Sequence, residues 1–287
     1  MPVRENRNGS REEFLNPAPA ANSNGTLPLT QIGKLSGDPN FMMSLARGLI
    51  VIQAFSRRKH QSTISQLSAD TGLSRAAVRR CLYTLCKLGF AGSNDSRHFF
   101  LSPRILTLGH SYLSSIPLGT AAQPILERLS QRLHESCSIA TLDGTSIIYV
   151  ARAHVTRIMA IDLRVGSRLP AFCTSMGRVL LANLPPEELD AHLARVVLTS
   201  YTERTITSFD KLRQVLDSVR RSGFCIVDQE LELGLRSLAV PVKSPNGRVV
   251  AALNVGTHAQ RAPIQKLQSE FLPNIRAAAQ ELSMLLR

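Results

Sequence analysis

The segment Thr63 to Leu82, TISQLSADTGLSRAAVRRCL, constrains this chain more than any other, because it reads as two short amphipathic helices joined by a tight turn at Gly72. In the first helix Ile64 and Leu67 share the inner face, and Thr63 stands where an N-cap belongs. Gly72 suits the left-handed residue that ends it. Ser74 caps the second helix, where Val78, Leu82, Leu85 and Leu88 form an apolar stripe, and Arg75 and Arg79 share another face with Arg80 beside them. Such a pair makes a helix-turn-helix, whose second helix offers its first residues to the major groove. Ala76 and Ala77 are small enough for a groove wall to come close, while Thr63, Ser74, Arg75, Arg79 and Arg80 supply hydroxyl and guanidinium donors for phosphates and base edges. An ordinary amphipathic helix with a solvated basic face is the competing reading of the second helix taken alone.

The distribution of charge bears on that choice. Residues 41–116 hold ten basic residues against two acidic, a net +8 out of the chain's +13, whereas residues 1–40 are net zero. A positive charge gathered in about a quarter of the chain is the footprint of a nucleic-acid module. A turn signal at Gly92-Ser93-Asn94-Asp95 and the extended run His98 to Leu101 predict a two-stranded wing after the second helix. Arg97 and His98 at that wing are candidates to reach phosphate or the minor groove, although a solvated hairpin tip would look the same.

The rest of the chain organises around this module. Residues 1–38 are rich in Asn, Pro, Ala, Gly and Ser and read as a disordered tail, with residues 39–101 as the winged helix-turn-helix domain. A helix is expected from about Ser44 to Ser56. Ser102-Pro103 opens a linker helix over residues 102–116, which Pro117 stops. Residues 117–287 then form a larger domain, with strands expected over 137–142, 147–153, 158–164, 237–243 and 248–255. Helices are expected around Ile125 to Leu133 and over 175–183, 186–195 and 210–221, before a terminal helix 263–287 with a break or kink at Pro273. Hairpins with helices grouped around them predict an α+β fold with a mainly antiparallel sheet.

SLARGLIVIQAF, SRAAVRRCLYTLCKLGF, LTLGHSYLSS, LPAFCTSMGRVLLA and GFCIVDQELELGLRSLAVPV together resemble the IclR family, in its PcaR/PobR branch, from about Gly37 to the C-terminus. The resemblance implies a winged helix-turn-helix, a linker helix and a GAF-like effector domain, in homodimers or homotetramers that bind operator DNA and work with RNA polymerase. It implies a regulator of aromatic-acid catabolism, more often an activator than a repressor, that answers to a small carboxylic acid such as β-ketoadipate, protocatechuate or 4-hydroxybenzoate. A repressor of another catabolic operon is the alternative. Carried over by position, the effector site comprises Cys173, Thr174, Ser175 and Met176 at a helix entrance, Ser237 after the GLR turn, and Asn254 and Gly256 on the last strand. Unpaired N–H groups at a helix N-terminus suit a carboxylate, and Ser237 and Asn254 add neutral donors. Arg152, Arg164 and Arg168 are candidates to neutralise a second carboxylate, with exposed surface arginines as the alternative.

Other classes find less support. Asp228, Glu230 and Glu232 alternate and could suggest a hard cation, or simply a cluster that stabilises a turn. Five cysteines at 81, 86, 137, 173 and 225 form neither a CxxC pair nor a disulfide framework, so no metal or cofactor is expected. Neither Cys173 nor Ser175 lies in GxSxG, and HExxH and Walker motifs are absent, which argues against an enzyme. With no apolar run long enough for a membrane span and no signal-peptide core at the start, the expected location is the cytoplasm.

Overall fold

The protein is represented by a computed structural model that describes residues 32–33, 35, 37–57, 61–109, 118–155 and 163–286. Within the N-terminal part, helix α1 (Met43–Ala54) continues into a 3₁₀ turn, Phe55–Arg57. Strand β1 (Ser62–Thr63) leads into α2 (Ile64–Thr71), whose start is fixed by a reciprocal cap: Gln66 N–H donates to Thr63 Oγ1 and Thr63 N–H to Gln66 Oε1. Gly72, at φ 73°, ends that helix in the left-handed conformation, and Ser74 caps α3 (Arg75–Lys87) by accepting from Ala77 N–H. Strands β2 (Ala91–Ser93) and β3 (His98–Leu101) follow. The wing is three-stranded rather than two-stranded, in the order β1-β3-β2, because Ser62 and Thr63 pair with Phe99 and His98.

Leu67, Val78, Leu82 and Leu85 meet Ile50, Val51 and Ala54 in one small core. Ile32 joins it at 1% exposure, which corrects the expectation of a tail running to residue 38. Composition over a window hides a single anchoring side chain. Residues 1–31, which carry most of the predicted tail, lie outside the described residues. After β3 the chain makes a 3₁₀ turn, Pro103–Ile105, and stays helical through residue 109; residues 110–117 of the predicted linker helix lie outside the described part.

The C-terminal part is built on a six-stranded antiparallel sheet in the order β6-β5-β4-β9-β8-β7. Its strands are β4 (Ser136–Asp143), β5 (Ser146–Ala153), β6 (Arg168–Pro170), β7 (Cys225–Asp228), β8 (Leu235–Lys243) and β9 (Val249–His258). The strand expected over 158–164 is not found in its described part, since residues 163–164 are irregular and the edge strand forms at Arg168–Pro170; residues 158–162 lie outside the described part. Helix α4 (Leu118–Leu133) and the terminal helix α8 (Leu272–Leu285) cover one face, packing Leu126, Leu129, Phe271 and Ile275 on Ile139, Val240, Leu253 and Val255. The opposite face carries α5 (Ser175–Ala182), α6 (Pro186–Leu193) and α7 (Phe209–Ser222). The irregularity expected at Pro273 falls in the turn before it: the terminal helical stretch is continuous, and a π-turn, Leu267–Phe271, accommodates the ring and the missing N–H of the proline.

Ile32→Ala should lower the stability of the N-terminal core by about 2 kcal/mol, as large-to-small core changes do. Denaturant unfolding of the variant checks this, and a midpoint equal to that of the parent would return Ile32 to the tail.

Candidate functional site

Two sites emerge, one on each part. On the N-terminal part Ser74, Arg75, Ala76, Arg79 and Arg80 are exposed along the free face of α3, while Val78, Leu82 and Leu85 turn inward, so the helix leaves its basic face to solvent. Thr63 and Ser74 both serve as caps, which commits one acceptor lone pair of each hydroxyl but leaves its proton to donate. Ala77 is half-buried, with Cβ at the edge of the core. At the wing, Asp95 accepts from the N–H groups of Arg97 and His98 and meets His98 Nδ1 at 2.6 Å. The His98 contacts hold the Asp95 carboxyl far below the usual carboxylate range. Arg97 therefore projects from an ordered turn, and His98 has one ring nitrogen already engaged.

On the C-terminal part a cavity of about 470 Å³ opens between the N-terminus of α5, the sheet, and the segment joining β7 to β8. All seven positions expected from the sequence, Cys173, Thr174, Ser175, Met176, Ser237, Asn254 and Gly256, line it. Cross-strand register explains the convergence. Ala239, Asn254, Ser138 and Arg152 form one row across β8, β9, β4 and β5, and Ser237, Gly256 and Ser136 form the next. Ala239 in the first row, with Ala140 and Ala252 on the strands beside it, makes a low floor on which α5 rests closely. Gly177 is part of that approach, since a Cβ there would lie 2.1 Å from the Ala171 carbonyl oxygen.

The polar groups facing the cavity are poorly supplied with partners. Ser175 Oγ, Asn254 Oδ1 and Arg152 Nε are buried without a hydrogen bond, and Ser175 and Asn254 are 1% and 8% exposed. Thr174 Oγ1 caps α5 by accepting from Gly177 N–H and donates to Pro170 O, which leaves the amides of Ser175 and Met176 at the open end of the helix. Buried donors and acceptors left in this state cost stability, and a polar ligand that both accepts and donates would satisfy them. Ser138, Tyr149, Leu163, Leu169, Thr257 and Arg261 also line the cavity and escaped the sequence reading. The signal for Ser138 was available in β4, where Ser136 and Ser138 alternate with apolar Cys137 and Ile139.

Arg178 and Glu230 hold the walls together. Arg178, 2% exposed, donates through both terminal nitrogens to Glu230 at 2.6 Å each and through Nε to Phe172 O at 2.8 Å. Ile206 N–H adds a bond to the same carboxylate. Asp228 meets Arg236 and Arg204, so two of the three carboxylates suspected of binding a cation are answered by arginines; among the described residues no cluster suited to a metal is found. Burial pushes the Cys173 thiol up to about 12, which leaves it protonated and a poor nucleophile at neutral pH. No helix of the described residues is long and apolar enough to cross a membrane.

A winged helix-turn-helix joined to a domain with a small-molecule-sized cavity defines a DNA-binding regulator that carries its own ligand site. Residues 44–95 match the IclR helix-turn-helix domain and residues 110–284 match the bacterial transcriptional regulator IclR C-terminal domain, so the chain belongs to the IclR family. It is 50% identical to the Pca regulon regulatory protein of Pseudomonas putida over 276 residues, 93% of this chain and 94% of that protein. The PobR inducer-binding domain from Acinetobacter, solved as a double mutant with 3-hydroxybenzoic acid, is 34% identical with a TM-score of 0.55, covering 57% of this chain and 96% of that one. An IclR homolog from Microbacterium hydrocarbonoxydans complexed with 4-hydroxybenzoate is 25% identical with a TM-score of 0.75, covering 85% of this chain and 99% of that one. The chain is a DNA-binding transcriptional regulator related to those of aromatic catabolism, and the relatives are named as regulators rather than enzymes.

Glu230→Ala should cost about 3 to 5 kcal/mol, since it leaves a buried guanidinium uncompensated, whereas the paired change Arg178→Met with Glu230→Leu should recover much of the loss. Urea unfolding of the three proteins tests this, and equal stability of Glu230→Ala and the parent would remove the pair from its structural role.

Proposed function

We propose that this regulator reads operator DNA through α3 and responds to a small carboxylic acid bound in the C-terminal cavity. The observation that carries the reading is the cavity itself, in which the open N-terminus of an eight-residue helix stands beside two buried, unpartnered side chains, Ser175 and Asn254. The helix end and the Ser175 hydroxyl suit a carboxylate, and Asn254 Oδ1, an acceptor, suits a donor such as a hydroxyl on the same acid. Hydroxybenzoates seated in two relatives support an acid of aromatic catabolism as the effector class. Residues 39–101 act as the DNA-binding unit, 102–116 as the connection and 117–287 as the effector domain, with Cys173, Thr174, Ser175, Met176, Ser237, Asn254 and Gly256 at the effector.

On DNA, Arg75, Arg79 and Arg80 reach bases and phosphates, the hydroxyls of Thr63 and Ser74 donate to phosphate, Ala76 faces the groove while Ala77, small and at the edge of the core, lets the helix lie close to it, and Arg97 and His98 touch the flanking backbone. The protein works as a homodimer or a homotetramer in the cytoplasm. Met42, Leu45 and Leu49, at 66%, 58% and 49% exposure along α1, form an apolar stripe that a second copy of the N-terminal part would cover. It activates its genes and works with RNA polymerase; one relative is named a transcriptional activator.

Separation of the two activities is the test. Arg79→Ala should weaken operator binding by about 1 to 3 kcal/mol and leave acid binding intact. Ser237→Leu should fill the cavity, abolish calorimetric binding of 4-hydroxybenzoate, protocatechuate and β-ketoadipate, and silence a promoter reporter while the operator stays occupied. A Ser237→Leu protein that binds and responds like the parent would place the effector site elsewhere.

A further inference from the structure

We propose that Ser102 and Arg104 are positioning residues that fasten the first turn of the linker to the C-terminal end of α3, so that the linker and the DNA-reading helix turn as one body when the effector acts. The proposal rests on the reading of α3 as the DNA reader and of the C-terminal cavity as the effector site, and it adds the joint by which one acts on the other. The wing brings the two sides of that joint together. β2 follows directly on the end of α3, and β3 pairs back along it so that Leu101 lies opposite Ala91. Ser102 N–H then donates to Phe90 O at 2.9 Å, and the chain enters the linker beside the turn where α3 stops.

That turn is closed on itself. Gly89 is left-handed at φ 77°, its N–H donates to Cys86 O at 3.0 Å, and Phe90 N–H donates to Leu85 O at 2.8 Å. These bonds answer carbonyls inside the helix, and the Gly89 carbonyl just beyond its end takes a donor from the linker, the Ser102 hydroxyl. Ser102 occupies the N-cap of the 3₁₀ turn Pro103–Ile105 with extended backbone, φ −80° and ψ 161°, yet its side chain makes no capping bond there. A serine at such a position ordinarily serves its own first turn. Here the hydroxyl is committed to the end of α3 instead.

Arg104 supplies a second hold, independent of the first. Its guanidinium lies over the Phe90 ring, 5.4 Å from the centroid, and a Cβ on Gly89 would come within 3.2 Å of its Nη1. Phe90 is itself packed against the N-terminal core, so the ring is a fixed stop rather than a mobile surface group. A single hydrogen bond at the root of a helix leaves the chain free to swivel about it. Two bonds from Ser102 to the successive carbonyls of Gly89 and Phe90, with a planar cation laid on the ring beside them, oppose both bending and twisting at the joint. A rotation of the linker is then passed to α3, whose Arg75, Arg79 and Arg80 meet a groove productively in one orientation only. Coupling between two sites needs an element that both of them bias, and this joint makes α3 and the linker such an element.

Two measurements on the full-length parent, Arg104→Ala, Arg104→Lys and Ser102→Ala test the joint. The first is the affinity for a duplex that the parent selects from a random-sequence library, with and without 4-hydroxybenzoate, protocatechuate or β-ketoadipate in excess. In the parent at least one acid should change that affinity by about fivefold or more. Arg104→Ala should bring the ratio close to one, with acid binding by calorimetry retained and acid-free DNA affinity changed by less than about threefold. Arg104→Lys, which keeps a cation at the ring, should restore part of the ratio. The second measurement is hydrogen exchange without any acid: in the parent, residues 104–109 and the end of α3 should open together, and in Arg104→Ala residues 104–109 should exchange about tenfold or more faster than in the parent. Circular dichroism checks that each variant is folded, and Ser102→Ala carries both comparisons should Arg104→Ala not fold. An Arg104→Ala protein with the parent's ratio overturns the proposal, whether its DNA affinity is unchanged or is lowered with and without acid alike, as loss of a phosphate contact would do. Unprotected linker amides in the parent overturn it as well. A parent that answers to none of the acids overturns the effector reading instead, and the exchange difference alone then upholds or overturns the joint.

Discussion

The effector domain depends on the buried ion pair between Arg178 and Glu230. A guanidinium at 2% exposure cannot be left without a counter-charge, and the two parallel 2.6 Å contacts with Glu230 supply one in a geometry that allows little rotation. The remaining polar atoms are also used. Arg178 Nε closes onto Phe172 O, and Glu230 receives Ile206 N–H on its carboxylate and Thr205 Oγ1 on its main-chain oxygen. One interaction thus fixes the loop before α5, the helix itself, and the chain leaving β7, which are three walls of the cavity. The residues that would meet the ligand are held in place without having to bond one another.

Beneath those walls the sheet divides its labour by face. On β4, β8 and β9 the side chains of Ile139, Leu238, Val240, Leu253 and Val255 bury themselves under α4 and α8, and their neighbours in sequence, Ser138, Ser237, Asn254 and Gly256, face the cavity. Period-two alternation makes this economical, because each strand contributes structure on one side and recognition on the other. The arrangement also places α4 directly behind the strands that would touch a ligand. Glu135, two residues beyond the end of α4, is tied to Arg261 and Thr257 at the cavity, so the first helix of the C-terminal part in sequence is joined to the site both through the sheet and through its own C-terminal end.

The N-terminal part follows a different economy. Its core is small, drawn from one side of α1, α2 and α3 with Ile32 added, and the outer face of α3 makes no packing contribution. Freedom from packing is what lets that face be basic. Positive side chains with no acid opposite them would repel one another in a core, but on an exposed helix they create the field that attracts a phosphate backbone.

Much of this was legible without coordinates. Caps at Thr63 and Ser74, the left-handed Gly72 and the helical stripe of Val78, Leu82 and Leu85 are local signals, set by neighbours within a few residues, and they fixed the helix-turn-helix and its basic face. The hairpins were legible for the same reason, and the seven positions carried over from the family resemblance line one cavity. What the sequence could not carry was long-range. Nothing local foretells that Glu230, one of three alternating acids, will be buried against an arginine 52 residues away, or that Ile32 in a polar tract will find the core. Nor does alternation along β5 reveal the extra residue at Val150, where the register with β4 shifts, which turns Arg152 from the α4 side to the cavity. Register, burial of charge and the partner of each side chain depend on segments that meet only after folding, so those were decided by the tertiary structure alone.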